Sequence, residues 1–173
     1  MKRHVVLVGA VLFVVGVAAG YAAARRVAPS VYQSKPAKEA GRALLVEARA
    51  QAGKGSWERI AVGRVYYLAG MKAEGQAIFD EVLSRKAESS DYFRVARVYR
   101  EAGEWAKAKE LFDRYLKTNP NDDKALAEVG AYYLLAKDRE TAEKLFERSF
   151  RLESEMWATV SAAGAYLGVE PQE

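Results

Sequence analysis

Leu45, Ile78, Leu111 and Leu145 recur at a nearly constant step of about 34 residues, and Val46, Phe79, Phe112 and Phe146 each follow one residue behind. Tyr66, Tyr99 and Tyr133 keep the same step, and Gly63, Ala96 and Gly130 precede those tyrosines by three residues. A period held this steadily means one structural unit written several times, and a unit this short must find its apolar partner in the next copy. No other feature of the 173-residue chain restricts its fold as much.

One period holds two helices. Tyr92, Val95, Ala96 and Tyr99 recur at helical spacing, as do Ala108, Leu111, Phe112, Tyr115 and Leu116, with charged residues between them. Gly103 falls where the first helix should end, because glycine accepts the left-handed backbone of a helix C-cap, and Pro120 lies just past the second, which it cannot continue. The unit is a helical hairpin, and the expected fold class is all-α.

At these positions the chain resembles the tetratricopeptide repeat (TPR) family, whose 34-residue signature runs aromatic, Leu-Gly, Tyr, Ala, Phe and Pro. Residues 89–122 match it through Tyr92, Val95, Ala96, Tyr99, Ala108, Phe112 and Pro120. Residues 123–156 match through Leu126, Val129, Gly130, Tyr133, Ala142 and Phe146, with Ser154 in place of the proline. Residues 56–88 are more divergent, with Arg59 where the first aromatic belongs and Trp57 as a candidate to fill that space. Residues 157–168 match a first helix alone, through Val160, Ala163, Gly164 and Leu167. Residues 37–55 carry Leu45 and Val46 in second-helix register with no first helix before them. The resemblance implies a TPR-type α-solenoid of about three helical hairpins, packed by an N-terminal helix, closed by a C-terminal capping helix and followed by a tail, 169–173.

Residues 1–26 form a different kind of segment. Val5 to Ala24, VVLVGAVLFVVGVAAGYAAA, contains no charge and as a helix reaches roughly 30 Å, the thickness of a hydrocarbon core. It is expected to be a single transmembrane helix that anchors the chain, in a bacterial inner membrane. Ala22, Ala23 and Ala24 also fit a small-residue cleavage site, so the alternative is a removed export signal. Arg25, Arg26, Lys35, Lys38 and Arg42 after the span favour cytoplasmic repeats, whereas the Met-Lys-Arg start is also how exported chains begin and favours the periplasmic side. Gly16 and Gly20 form a GxxxG that allows self-association of two spans, although Gly and Ala are common in such segments. Residues 27–36, with two Pro and two Ser, are expected to be a linker.

Charge and composition exclude several functions. The chain has 27 Lys and Arg against 23 Asp and Glu, but Lys2, Arg3, Arg25 and Arg26 flank the span, and the remainder balances. No nucleic-acid partner is therefore expected. There is no Cys, which excludes thiolate nucleophiles, disulfides, zinc–cysteine sites and cysteine lipidation, and the one His, His4, sits in the basic flank. Gly41, Gly53 and Gly55 lack the spacing of a phosphate-binding loop, and Asp80-Glu81 and Asp122-Asp123 suit helix surfaces and turns better than acid–base work. No catalytic residue, cofactor or metal is expected, and the chain is read as a non-enzyme.

In the TPR family the first helices line a concave groove that takes peptide segments of partner proteins, so the resemblance implies a protein-binding scaffold. Opposite the core stripe of the helix near Asp91 lie Ser90, Phe93, Arg97 and Arg100, with Arg94 beside them. Arg64 aligns with Arg97, Tyr67 with Arg100, Ile60 with Phe93, and Lys124 and Ala127 with Ser90 and Phe93. The expected partner-binding set is Arg64, Tyr67, Phe93, Arg94, Arg97, Arg100 and Lys124, suited to an acidic segment with an apolar anchor. The alternative is a solvated face whose arginines pair with Glu101, Glu104 or Glu128. Some TPR co-chaperones clamp a C-terminal carboxylate with two Lys, two Asn and an Arg. Here Lys124 matches one Lys while Ile60, Arg64, Arg94 and Glu128 occupy the other positions, so the clamp is not expected. The expected function is a membrane-tethered adaptor for assembly or recruitment of a complex, with a cleaved, soluble periplasmic-type chaperone or complex subunit as the alternative.

Overall fold

The computed structural model describes residues 26–171 except 85 and 154. The expected anchor, with Gly16 and Gly20, lies outside the described residues. Among the described residues there are eight α-helices and no strand, and no helix is long and apolar enough to cross a membrane. The described residues fall into two units, one ending at Gly53 and the other beginning at Lys54.

The first unit holds a 3-10 turn, Pro29–Val31, and helix α1, Ala37–Ala52. Pro36 stands just before α1 with φ −55°, where its missing N–H leaves no intrahelical bond unmade. Gly53, at φ +56°, ends the helix. Leu45 is buried, whereas Leu44 and Val46 are exposed.

The second unit is a run of hairpins: α2 (Ser56–Leu68) with α3 (Lys72–Ser84), α4 (Ser89–Glu101) with α5 (Trp105–Thr118), and α6 (Asp123–Leu135) with α7 (Arg139–Leu152). Helix α8, Met156–Tyr166, follows and packs mainly on α6. Each hairpin packs within itself and on its neighbours in the series. The period fixes the turns as well as the helices. Gly70, Gly103 and Lys137, one period apart, all have left-handed backbones, at φ +83°, +75° and +71°. At each, the next residue's N–H closes onto the carbonyl five residues back: Met71 to Tyr66 at 2.9 Å, Glu104 to Tyr99 at 2.8 Å, and Asp138 to Tyr133 at 2.9 Å. This is the reversal that satisfies the last carbonyls of a helix. At the helix starts, Asp122 and Asp138 accept from the backbone N–H of Ala125 and Thr141 at 3.0 and 3.1 Å.

Phe79, Phe112 and Phe146 form the spine of the core, each buried against the first helix of its hairpin. The small residues opposite explain how such rings fit between close helices. A Cβ on Gly63 would stand 2.6 Å from the Phe79 ring, and one on Gly130 would stand 2.8 Å from the Phe146 ring. Ala96 occupies the equivalent position opposite Phe112 and is fully buried.

Candidate functional site

The first helices α2, α4, α6 and α8 present the residues on which a partner-binding face was expected. Lys124, Arg94, Arg97, Arg64 and Arg100 reach that face, but Phe93 and Tyr67 do not. Phe93 is 8 % exposed, with its ring centroid 5.1 Å from that of Phe112 and 4.6 Å from that of Tyr115. Tyr67 is 2 % exposed and packs between Phe79 and Tyr99, with both centroids at 5.6 Å. These two are corrections to the sequence reading. Dividing a helix into a core stripe and an open stripe suits a helix packed on one side, but α4 is packed by α5 and also by α2 and α3 of the preceding hairpin. Ile60 and Ala127, in register with Phe93, are buried as well.

The cations on this face are tied to carboxylates of adjoining elements. Arg97 on α4 donates from Nε and Nη2 to the two oxygens of Glu128 on α6, each at 2.7 Å, and its guanidinium lies 4.9 Å over the Phe93 ring. Arg64 on α2 makes the same two-pronged contact with Glu101 at the end of α4, with its Nε at 2.7 Å. Arg100 Nη2 donates to Glu170 at 2.6 Å, and Lys124 pairs with Glu155 at 3.0 Å. Two of the three acids named as alternative partners, Glu101 and Glu128, therefore do pair with the arginines. Glu104 faces elsewhere, binding Lys72, Lys107 and the Tyr67 hydroxyl, which donates to it at 2.7 Å. Hydrogen bonds from Lys107, Lys72 and Tyr67, in that order, hold the Glu104 carboxyl down at about 2.

Arg94 is placed differently. Its guanidinium stacks 4.9 Å from the Trp57 ring, and the nearest Asp91 oxygen stands at 4.0 Å, beyond hydrogen-bonding distance. Trp57, on α2, is 64 % exposed. It escaped the groove assignment because its place before the first core residue suggested a space-filling role.

Two clefts share Arg97. The smaller, about 350 Å³, is lined by Trp57, Ile60, Ala61, Arg64, Arg94 and Val98, between α2 and α4. The larger, about 540 Å³, runs from Lys124 and Glu128 to Trp157, Val160 and Val169 beside α8. An exposed aromatic platform with oriented guanidinium groups can hold a carboxylate and an apolar side chain together. Among the described residues no group of three or more His, Asp or Glu side chains is placed to hold a metal ion.

A family model described as Tetratricopeptide repeat matches residues 91–130, which run from the start of α4 into α6. No curated protein and no solved structure matches the chain. The hairpins recurring at one period, their shared left-handed turn and the match over α4 to α6 support a tetratricopeptide repeat at residues 91–130 and helical hairpins of the same kind on either side of it.

Proposed function

We propose that the chain is a membrane-tethered scaffold that binds an acidic segment of a partner protein along the face of its first helices, for assembly or recruitment of a complex at the bilayer. A TPR array is a protein-interaction scaffold, and the single observation that carries the finer reading is the cleft in which Arg94 lies against Trp57 with Arg64 and Arg97 around it. The stacked guanidinium is ordered before any ligand arrives, so little rotamer freedom is lost when it takes a carboxylate. Ile60, Ala61 and Val98 line the same cleft and suit an adjoining apolar side chain.

On this reading residues 5–24 are the tether in a bacterial inner membrane, and the basic flank after them sets the repeats on the cytoplasmic side. The second reading, a cleaved periplasmic-type chaperone or subunit, rests on Ala22 to Ala24 and the Met-Lys-Arg start. An intact mass of the chain recovered from cells separates the two, because the tether survives in one of them alone.

The partner is tested by a photoreactive residue in place of Trp57 in the full chain, crosslinked in intact cells and read by mass spectrometry. One dominant protein with an acidic segment is expected, and Arg94→Glu should lower its capture about tenfold. A probe at Glu140, an exposed residue on α7, serves as the control. If both probes capture the same proteins, the proposed site is wrong.

A further inference from the structure

Helix α8 is a first helix whose second-helix face is open. Val160, Ala163, Gly164 and Leu167 stand one period beyond Leu126, Val129, Gly130 and Tyr133. The four residues on α6 are buried under α7 and its neighbours. On α8, Val160 is 52 % and Leu167 82 % exposed, with Met156 and Trp157 exposed beside them. No residue of α8 is charged, and an exposed apolar patch of this kind marks an interaction surface. The chain turns at Gly168, and Val169 lies over Gly164, its Cβ 3.7 Å from where a Gly164 Cβ would stand. The notch that receives the Phe146 ring over Gly130 is met over Gly164 by the Val169 carbonyl oxygen, at 3.4 Å, and by no ring.

Helix α1 has the converse character. Leu45 and Val46 stand one period before Ile78 and Phe79, in second-helix register, and Val46 is 62 % exposed. Lys38, Glu39, Arg42, Glu47 and Arg49 give this helix the polar surface that α8 lacks.

We propose that α1 of one copy docks on the open face of α8 of another, so that head-to-tail association of the chain completes a further hairpin at each junction. A second copy is the occupant because this chain carries a second-helix register at one end of the repeats and a first-helix register at the other. The docking continues, in trans, the packing that joins α6 to α7. The two surfaces differ, so the contact is heterologous and propagates from copy to copy unless its rotation closes a ring.

The test measures the size of the full chain in a mild detergent by sedimentation over a concentration series, for wild type, Val46→Glu and Leu167→Glu. Wild type is expected to form concentration-dependent species beyond a dimer. Each variant alone should associate about tenfold more weakly or less. An equimolar mixture of the two variants should form a one-to-one dimer, because one retains an intact α8 face and the other an intact α1. Both side chains are largely exposed, so melting should be unchanged; if a Glu variant melts early, Val46→Ser or Leu167→Ser replaces it in the same mixture. Monomeric wild type throughout the series overturns the proposal. So do variants that assemble like wild type, which would assign association to another surface such as Gly16 and Gly20, and a mixture of folded variants that stays monomeric.

Discussion

Arg97 and Glu128 join the second hairpin to the third through two hydrogen bonds of 2.7 Å, Nε to one carboxylate oxygen and Nη2 to the other. Arg64 and Glu101 join the first hairpin to the second in the same way. The groups that make the first-helix face basic are therefore also the groups that link successive repeats, and a ligand carboxylate must compete with a resident one.

The Arg97 pair should be measurable in a double-mutant cycle of Arg97→Ala and Glu128→Ala. Both side chains are partly buried and the geometry is bidentate, so a coupling of about 1 kcal/mol is expected, smaller at high salt. Glu128→Gln should in addition tighten binding of an acidic peptide severalfold, since a charged competitor for Arg97 is removed. Unchanged or weaker binding would show that the peptide does not use Arg97.

Gly63 and Gly41 should respond oppositely to alanine. A Cβ at Gly63 meets the Phe79 ring at 2.6 Å, and the ring is enclosed, so Gly63→Ala is expected to destabilise by about 1–3 kcal/mol. Nothing lies within 4 Å of a Cβ at Gly41, in the body of α1, so Gly41→Ala is expected to stabilise that helix by about 0.5–1 kcal/mol. Thermal melting and helical circular dichroism of the two variants decide the matter.

Lys137 stands where Gly70 and Gly103 stand in the earlier hairpins, and it holds φ +71° with a side chain attached. Lys137→Gly should raise stability by about 0.5–1 kcal/mol, because relief of the left-handed strain exceeds the added freedom of the unfolded chain. A loss of stability on denaturant unfolding would mean that the Lys137 side chain contributes more than its backbone costs.

Glu104 should make the joint between the first two hairpins sensitive to acid. Its folded carboxyl is held at about 2, below the ordinary value of 4.5, first by Lys107 and then by Lys72 and Tyr67. The sign follows from proton linkage: the contribution is present above pH 4.5 and is lost as pH falls towards 2. The stability gap between wild type and Glu104→Gln should be on the order of 1 kcal/mol at neutral pH and close over that acidic window. A gap independent of pH would show that shape, and not charge, holds this cluster.

The helices and turns were legible because local chemistry sets them. The spacing of Phe79, Phe112 and Phe146 locates the second helices, and Gly103 and Pro120 bound them. The burial of Phe93 was not legible, since it depends on Phe112 and Tyr115 closing over it while the preceding hairpin packs on the other side of α4. The identity of the arginine partners was only partly legible. Glu101 follows Arg64 by 37 residues and Glu128 follows Arg97 by 31, so side-chain reach, not the period, selects the pairs. Glu170 reaches Arg100 across 70 residues, with nothing in the repeat to announce it.

Because the helices of each hairpin pack mainly on those of its neighbours in the series, the two arginine clasps behave as springs set between rigid plates. A carboxylate that takes Arg97 from Glu128 slackens the spring it binds, so capture at this face is expected to raise hydrogen exchange along the junction of α4 and α6. The array would then be stiffest when empty and most compliant when loaded.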